Sequence, residues 1–377
     1  MDFSWTENQN ELYAKVLALA KEKLNSSAKE PEMAQNLWHL CGELGILGLC
    51  VPKRYGGMGL DALTTTRVIE AYGRGCEDMG FVFATLAHLF ACTMPILEYG
   101  TELLKEAILP QLCSGEWKGA NAITEKEAGS DVFALRTKAV RDGKSYVLTG
   151  HKIYVTNAPL ADVFVVYAST NPTHGYLGIT AFIVEKNTPG VIVGKPFSKM
   201  GLDSTFASSV YFKDCHVPEG NKLGNEGQGA QVFQSSMQWE RACLFAAYVG
   251  MMERQLEQTI GYTRSRRQFG RAISKNQAIS HRIADMKLRL ESARLLLYRA
   301  CWLFDQGKNP VLDVSMSKLA ISEAAIQSSL DAIQIHGGIG FLTEFGIERG
   351  LRDAIPSTIF SGTSEMQREL IARELGL

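Results

Sequence analysis

Apolar residues recur at helical spacing through the first third of the chain. Leu12, Val16 and Ala20 stand four residues apart, which predicts an amphipathic helix with one buried face. Residues 81–97 are almost wholly apolar, and this pattern predicts a helix that is buried on nearly all sides. We therefore expect a helical N-terminal domain over residues 1–119.

After residue 119 the apolar period shortens from about 3.6 residues to 2. Short β-branched and aromatic runs alternate with turn signals such as Asp142-Gly143 and Pro189-Gly190, as expected of strands joined by tight turns. The runs predicted as strands are residues 145–149, 152–156, 163–167, 179–184 and 209–212. We interpret residues 120–228 as a compact middle β domain, either a barrel or a sandwich.

Helical spacing returns after Gly229 and continues to the C-terminus. Asn276 is suited to cap a helix that runs to about residue 306, with apolar residues along one stripe. Such a helix would be about 45 Å long, too long to bury its stripe without neighbours. We therefore expect residues 229–377 to form a four-helix-bundle domain that also packs against other subunits. The predicted fold class is α+β, with helical, β and helical domains in that order.

Composition and charge exclude several classes of function. The 377 residues are 46% hydrophobic and 21% charged, and the formal net charge is −1. Basic residues are therefore not in excess, and the charge balance does not favour binding to nucleic acid or to an anionic membrane. Residues 1–5 show no basic segment followed by an apolar one, and no apolar run approaches the roughly 18 residues of a membrane span.

The eight cysteines are scattered along the chain and form no C-x-x-C pair. Most stand within apolar runs, for example Cys50 between Leu49 and Val51. This pattern is typical of buried, reduced thiols, so we expect neither a disulfide framework nor a metal site. Together with the lack of a targeting segment, it predicts a cytoplasmic protein.

Five motifs rich in glycine, hydroxyl or guanidinium groups occur in order along the chain. They are the segments 122–131, 152–157, 266–277, 334–341 and 362–365. Each one alone is typical of a turn, a loop or a solvated face. In this order and at these spacings they resemble the acyl-CoA dehydrogenase family, flavoenzymes that desaturate thioesters next to the carbonyl. The resemblance covers essentially the whole chain.

The resemblance implies FAD as the cofactor and assigns contacts with it to all five motifs. The implied FAD-binding residues are Ala122, Ile123, Thr124, Gly129, Ser130, Tyr154, Thr156, Arg266, Gln268, Phe269, Gln277, Gln334, Gly337, Gly338, Thr363 and Glu365. The hydroxyl groups of Thr124, Ser130 and Thr156 can donate hydrogen bonds to the flavin and the pyrophosphate. The ring of Tyr154 can lie against the isoalloxazine face.

The third motif also implies an oligomer. Arg266 can pair with a phosphate as a planar fork, and in the family the matching stretch reaches the FAD of a neighbouring subunit. Gly337 and Gly338 let the backbone approach the cofactor closely. The resemblance therefore implies at least a dimer, and a homotetramer by analogy with the family.

The base for the reaction is expected at an unusual position. Ser361 stands where many members of the family carry the glutamate that removes the substrate's α-proton, and a serine hydroxyl is far too weak a base. Glu240 matches the position of the base in a minority of the family, including isovaleryl- and long-chain-type enzymes. Apolar neighbours should raise the pKa of Glu240 toward working pH, as suits a proton acceptor. We therefore expect Glu240 to be the base, while the Ser361 N–H polarises the thioester carbonyl.

The segment around this glutamate also bears on the substrate. Residues 231–258 are similar to the prolyl-carrier-protein dehydrogenases and oxidases of natural-product pathways, which oxidise proline held on phosphopantetheine. This similarity implies an acyl or peptidyl carrier protein as partner, and a pyrroline or pyrrole carboxyl thioester as product. Either an electron-transfer flavoprotein or oxygen would accept the electrons. The expected substrate-binding residues are Arg241, Trp239, Phe245 and Phe360.

Two other functions are consistent with the sequence. The first is that of a short- or branched-chain acyl-CoA dehydrogenase similar to the isovaleryl-CoA enzymes. The second is that of a non-catalytic flavin-binding homologue, which Ser361 favours and Glu240 opposes. Loss of flavin colour on addition of a given thioester would distinguish these functions.

Overall fold

The computed structural model describes residues 4–25, 31–308 and 310–377, and helices form both ends of the chain. The N-terminal helices are α1 (Glu7–Lys23), α2 (Pro31–Glu43), α3 (Ala62–Gly75), α4 (Met79–Ala87), α5 (Met94–Tyr99) and α6 (Glu102–Ser114). Four of them begin at a side-chain cap, because Thr6, Asp61, Asp78 and Thr101 accept hydrogen bonds from N–H groups of the first turns of α1, α3, α4 and α6.

The apolar stretch forms one continuous helical rod, in which a π-helical segment (His88–Thr93) joins α4 to α5. The rod, Met79–Tyr99, is long and apolar enough to cross a membrane by length and composition, so the expectation that no run has this character is wrong. However, 89% of its most apolar 18-residue window is buried inside the protein. The rod is therefore a core helix, as its pattern predicts.

Strands occupy the middle of the chain. They are β1 (Gly119–Ala122), β2 (Lys138–Asp142), β3 (Ser145–Thr156), β4 (Val163–Ser169), β5 (Ile179–Glu185), β6 (Val191–Val193), β7 (Ala207–Pro218) and β8 (Lys222–Leu223). They form one sheet in the order β6-β7-β3-β2-β4-β5-β8, and β1 joins it by parallel pairing with β4.

The sheet differs from the predicted strands in two respects. The runs 145–149 and 152–156 belong to the single strand β3, which keeps its pairing with β7 across two register shifts. In addition, β1 was not predicted, because the sequence Gly-Ala-Asn-Ala contains no β-branched or aromatic residue. Its extended conformation comes from its pairing with β4, which is a tertiary contact.

The two faces of β4 belong to different cores. Phe164 and Val166 lie in the core within the sheet domain. Val165 and Tyr167, on the opposite face, lie in the core that the sheet shares with the helices. Side chains from strands and helices therefore meet along this second face, where the candidate site lies.

The C-terminal part is helical and contains one small hairpin. Its helices are α7 (Gly229–Trp239), α8 (Ala246–Ser265), α9 (Gln277–Asp305), α10 (Val311–His336), α11 (Gly338–Phe341), α12 (Ile347–Ala354) and α13 (Ser364–Glu374). A second π-helical segment (Glu240–Leu244) joins α7 to α8, and the hairpin of β9 (Arg267–Gln268) and β10 (Arg271–Ala272) separates α8 from α9. The α+β order of helices, sheet and helices is confirmed, whereas the domain boundaries 1–119, 120–228 and 229–377 stay predictions.

The long helix α9 begins and ends where the sequence predicts, but its predicted cap is wrong. Asn276 precedes the helix, yet its side chain makes no capping hydrogen bond. The Oδ1 atom instead accepts a hydrogen bond of 2.6 Å from Arg271 Nη2 in the hairpin. The contact with the hairpin thus takes the place of the local cap.

Candidate active site

Glu240 begins the π-helical segment between α7 and α8, which widens the helix at this point. Its side chain is buried, with 6% of the residue exposed. Insertions of this kind are frequent at functional sites, because the extra residue turns a side chain away from the regular helical stripe. The predicted base is therefore buried on a locally distorted helix.

The Glu240 carboxylate is hydrogen-bonded to the residue that replaces the family's usual base. The Ser361 hydroxyl donates a hydrogen bond to Glu240 Oε1. Burial raises the pKa of Glu240, whereas the Ser361 hydrogen bond and the charges of Arg241 and Lys318 oppose that rise. The net shift is upward, as the sequence predicts for a proton acceptor.

The turn that carries Ser361 is held by three side chains through its carbonyl groups. Arg241 Nε donates to Ser361 O at 2.7 Å, and Lys318 Nζ donates to Gly362 O at 2.8 Å. Gln367 Nε2 donates to both carbonyls, at 3.3 and 3.1 Å. Arg241, which was predicted to bind substrate, therefore holds the turn beside Glu240.

Sequence reasoning missed Lys318. This lysine is fully buried, and burial, together with the charge of Arg241, lowers its pKa to about 8. A lysine at an otherwise apolar and small position of a helix is the signal that was available, since Leu319, Ala320 and Ile321 follow it directly.

Two of the predicted substrate-binding residues meet in an aromatic cluster next to Ser361. Phe360 lies 4.5 Å from Phe83 and 5.5 Å from Phe245 between ring centroids. The ring of Tyr248 lies 6.3 Å from Phe360. The cluster therefore forms an apolar wall beside the turn, with side chains from α4, α8 and the C-terminal loop.

Trp239 has different partners. Its indole Nε1 donates to Glu98 Oε1 at 2.6 Å, and its ring contacts Phe304 edge-on at 4.7 Å. Neither partner hydrogen-bonds to Glu240 or Ser361 in the described part of the chain. The structure therefore does not bring Trp239 into the aromatic cluster with Phe245 and Phe360.

Tyr167 on β4 lies close enough to Glu240 for the carboxylate charge to affect its pKa, and it was missed by sequence reasoning. The residue is fully buried, and its hydroxyl has no hydrogen-bond partner among the described residues. Burial raises its pKa, and the charges of Cys92, Tyr99 and Glu240 add to the rise. No pattern around residue 167 distinguishes it from an ordinary aromatic strand residue.

A buried ion pair joins the first two motifs. Lys152 Nζ lies 2.7 Å from Glu125 Oε1 and donates to Ile123 O at 2.9 Å. Glu125 also accepts hydrogen bonds from the N–H groups of Arg136 and Thr137. Burial lowers the pKa of Lys152 to about 8, although Glu125 opposes this. The pair fixes β3 against the segment that follows β1.

The predicted cofactor-binding residues of these motifs lie on both sides of that ion pair. Ala122 and Ile123 are buried, Thr124 and Thr156 are half-buried, and Gly129 and Ser130 are exposed. Tyr154 is 67% exposed and has a φ of 56°, in the left-handed region that a tyrosine rarely adopts. Its ring lies 5.6 Å from Phe197.

The third motif lies far from Glu240 in the same chain. The π-helical segment and the hairpin are at opposite ends of α8, whose 20 residues span about 30 Å. Arg266, Gln268 and Gln277 are exposed, and Phe269 is 98% exposed. A single chain therefore does not bring these residues to Glu240.

The last two motifs lie at helix ends. Gln334, Gly337 and Gly338 are exposed where α10 ends, and Gly337 has φ 61° and ψ −134°, which essentially only glycine adopts. Thr363 caps α13 by accepting a hydrogen bond from Met366 N at 3.2 Å. The exposed Glu365 follows in the first turn of that helix.

All eight cysteines lie within the described residues, and each is buried and free, as expected. Over those same residues, no group of three or more His, Cys, Asp or Glu side chains is placed to hold a metal ion.

Three family models match successive parts of the chain. They are the acyl-CoA dehydrogenase N-terminal domain over residues 6–116, the middle domain over residues 120–215 and the C-terminal domain over residues 227–376. An L-prolyl-[peptidyl-carrier protein] dehydrogenase of Pseudomonas fluorescens is 56% identical over 381 residues, with 100% of both chains covered. An isovaleryl-CoA dehydrogenase of Solanum tuberosum is 37% identical over 98% of this chain and 90% of its own.

Solved structures agree with these matches. The prolyl acyl carrier protein oxidase AnaB is 46% identical with a TM-score of 0.96, over 99% of this chain and 100% of that one. PigA with FAD and proline is 44% identical with a TM-score of 0.97, over 100% of both chains. The chain belongs to the acyl-CoA dehydrogenase family.

Proposed function

We propose that this protein is an FAD-dependent enzyme that oxidises an L-prolyl group held as a thioester on a carrier protein, yielding a pyrroline or pyrrole carboxyl thioester. The observation that carries the proposal is the buried Glu240, hydrogen-bonded to Ser361 where many relatives have their base. The names of the relatives with 56% and 46% identity support the prolyl carrier-protein substrate.

The residues of the first two motifs fit a flavin. Tyr154 presents an exposed ring, held at a strained φ of 56°, next to the hydroxyl-bearing Thr124 and Thr156. An exposed aromatic face with hydrogen-bond donors beside it suits a flat heteroaromatic ring. Lys152 and Glu125 tie the two motifs together, so the platform is set before the cofactor binds.

FAD, when bound, supplies the acceptor for the hydride, and the residues of the chain control the proton. Glu240 removes the proton from the carbon next to the thioester carbonyl, while the hydride leaves the neighbouring atom of the substrate. The substrate thus loses two hydrogens for each double bond formed. The raised pKa of Glu240 brings its basicity closer to that needed for this transfer.

The Ser361 turn supplies the electrophilic assistance. No described residue accepts a hydrogen bond from the Ser361 N–H, while the carbonyls of Ser361 and Gly362 are bound by Arg241 and Lys318. The N–H therefore stays available for the thioester oxygen, which becomes more negative as the α-proton leaves. The wall formed by Phe360 and Phe245 keeps water from the site.

Replacing Glu240 by glutamine tests the proposal. The E240Q variant should bind FAD normally. Its rate of flavin reduction by prolyl-loaded carrier protein should fall at least about a thousandfold, since the amide is not a base. Anaerobic stopped-flow absorbance of the flavin measures this rate. An exposed glutamate serves as the control, and E106Q should retain the wild-type rate. Rapid flavin reduction by E240Q would exclude Glu240 as the base.

The acyl-CoA alternative has weaker support. The isovaleryl-CoA dehydrogenase, at 37% identity, is further from this chain than the prolyl enzymes are. Flavin reduction by isovaleryl-CoA but not by prolyl-carrier protein would nevertheless favour it. A yellow protein that no thioester reduces would favour the non-catalytic homologue.

The product is identified by mass spectrometry of the carrier protein. A loss of two hydrogens indicates a pyrroline, and a loss of four indicates a pyrrole.

The quaternary structure, electron acceptor and location complete the proposal. The exposed hairpin of Arg266 and Phe269, about 30 Å from Glu240, supports an assembly in which a neighbour's hairpin completes each cofactor site, as in a homotetramer. An electron-transfer flavoprotein or oxygen takes up the electrons. The protein acts in the cytoplasm, where its free cysteines remain reduced.

A further inference from the structure

Ser361 adopts a backbone conformation that favours glycine. Its φ is 56°, and the next residue, Gly362, continues the left-handed turn with a φ of 87°. A Cβ in this region is strained by its own backbone, so glycine would be the easier residue at position 361 as well. We therefore expect the serine side chain to make an interaction that offsets this strain.

The turn does not need the serine hydroxyl to keep its shape. Its carbonyls are held by Arg241, Lys318 and Gln367, all of which contact backbone oxygen atoms. None of these contacts uses the Ser361 side chain, so their donors and acceptors remain when the hydroxyl is removed. The described contact of the hydroxyl is with Glu240, so its role concerns the carboxylate.

We propose that the Ser361 hydroxyl is a positioning residue for the base, which orients the Glu240 carboxylate by a hydrogen bond to one oxygen and leaves the other free for the substrate's proton. This inference rests on the proposed function, since it takes Glu240 as the base. It assigns two separate tasks to one residue: the N–H acts on the thioester, and the hydroxyl acts on the base.

The charged and titratable groups around Glu240 do not depend on the hydroxyl. Arg241 faces it from the same helix, Lys318 from α10 and Tyr167 from β4. All three remain in a Ser361 variant. Removing the hydroxyl deletes a donor that stabilises the carboxylate, so the pKa of Glu240 must rise. Since the base acts deprotonated, the acid limb of the rate profile moves to higher pH.

The variants S361A and S361G test this inference as a pair. Both lack the hydroxyl and keep the backbone N–H, whereas only S361G also removes the strain of the left-handed Cβ. The rate of anaerobic flavin reduction by prolyl-carrier protein is measured against pH. We expect the acid limb to shift upward by about one pH unit in both variants. At pH values below the limb, flavin reduction should be slower than in the wild type.

A second readout does not require turnover. Infrared difference spectra between acid and neutral pH report the protonated carboxyl group of Glu240, with E240Q as the blank. The midpoint of this titration should move upward in S361A and S361G by the same amount as the kinetic limb. Agreement of the two readouts separates control of the base from a general weakening of the turn.

The outcomes distinguish this inference from the function on which it rests. If E240Q is inactive while both serine variants keep the wild-type kinetic limb and infrared midpoint, the positioning role is wrong and the base assignment stands. If E240Q reduces its flavin at the normal rate, the base assignment itself fails. A change in S361A that S361G reverses would assign the effect to backbone strain and overturn the inference.

Discussion

At the scale of single residues, the site combines groups that are costly to bury with partners that offset the cost. Glu240 is buried with a donor on one oxygen, and Lys318 is buried with a carbonyl as acceptor. A left-handed serine costs on the order of 1 kcal/mol, comparable to a hydrogen bond to a charged group, of about 1.5–3 kcal/mol. The hydrogen bond from the Ser361 hydroxyl to the Glu240 carboxylate therefore offsets the strain at Ser361.

Tyr167 is the exception, since its hydroxyl is buried with no partner among the described residues. Replacing it by phenylalanine removes an unsatisfied polar group and should leave the free energy of unfolding unchanged or raise it by about 1 kcal/mol. Thermal unfolding followed by circular dichroism measures the change. The matched control is Y72F, because the Tyr72 hydroxyl is 3.2 Å from Thr85 Oγ1. Y72F should lose about 1 kcal/mol.

A lower melting temperature for Y167F than for Y72F would contradict this expectation. It would mean that the Tyr167 hydroxyl has a stabilising partner, such as a bound water molecule.

At the scale of elements, the distinctive feature is that β3 is tied to the end of β1 by a buried charge pair. The two strands do not pair with each other in the sheet, since β1 pairs with β4 and β3 with β2 and β7. Lys152 bridges them through Glu125 and the Ile123 carbonyl. The two motifs proposed to hold FAD are therefore joined by this ammonium group, in addition to the hydrogen bond of 2.9 Å from Ile153 N to Thr124 O.

Replacing Lys152 by methionine should break this connection. Glu125 would be left buried without its counter-charge, a change that destabilises proteins by about 3–5 kcal/mol. We expect a markedly lower melting temperature and weaker retention of FAD on gel filtration, measured from the absorbance ratio of flavin to protein. The exposed Lys138 on β2 provides the control, and K138M should behave as wild type. Full FAD retention by K152M would show that the ion pair does not position the flavin segments.

At the scale of the whole molecule, we propose a cofactor site that a second chain completes. The hairpin that follows α8 projects an aromatic residue, Phe269, which is 98% exposed and has a φ of 49°. Such nearly complete exposure leaves the whole ring free for a contact, and we propose that a partner surface covers it. The oligomer and the cofactor site should therefore be lost together.

The variant F269D tests this coupling. It should shift the protein toward smaller species in light scattering and lower its FAD content, because a carboxylate is placed at the proposed subunit contact. A control is Y176D, at an exposed aromatic residue near β5, which should keep the wild-type mass. An unchanged mass with normal FAD content in F269D would argue against a role for the hairpin in assembly.

Much of this organisation could be predicted from the sequence, because it is encoded in neighbouring residues. The period of apolar residues located the helical and β zones, and the motifs led to the family. Tyr167 and the link between Lys152 and Glu125 were missed, since nothing in their own segments distinguishes them as part of a site. Lys318 was missed although its place among apolar and small helical residues is a signal, because that signal does not say which site the lysine serves. Their roles appear only when distant segments are packed together.

The sequence by itself determined the order of the zones, the candidate for the base and the serine at position 361, where the family's usual glutamate stands. Tertiary structure decided that β1 is a strand, that Asn276 binds the hairpin rather than capping α9, and that Ser361 meets Glu240. The physical reason is the separation along the chain between the groups that make contact. Helical and strand periodicity reflects contacts within a few residues, whereas the hydrogen bond between Ser361 and Glu240 joins groups that are 121 residues apart and forms only when the core closes.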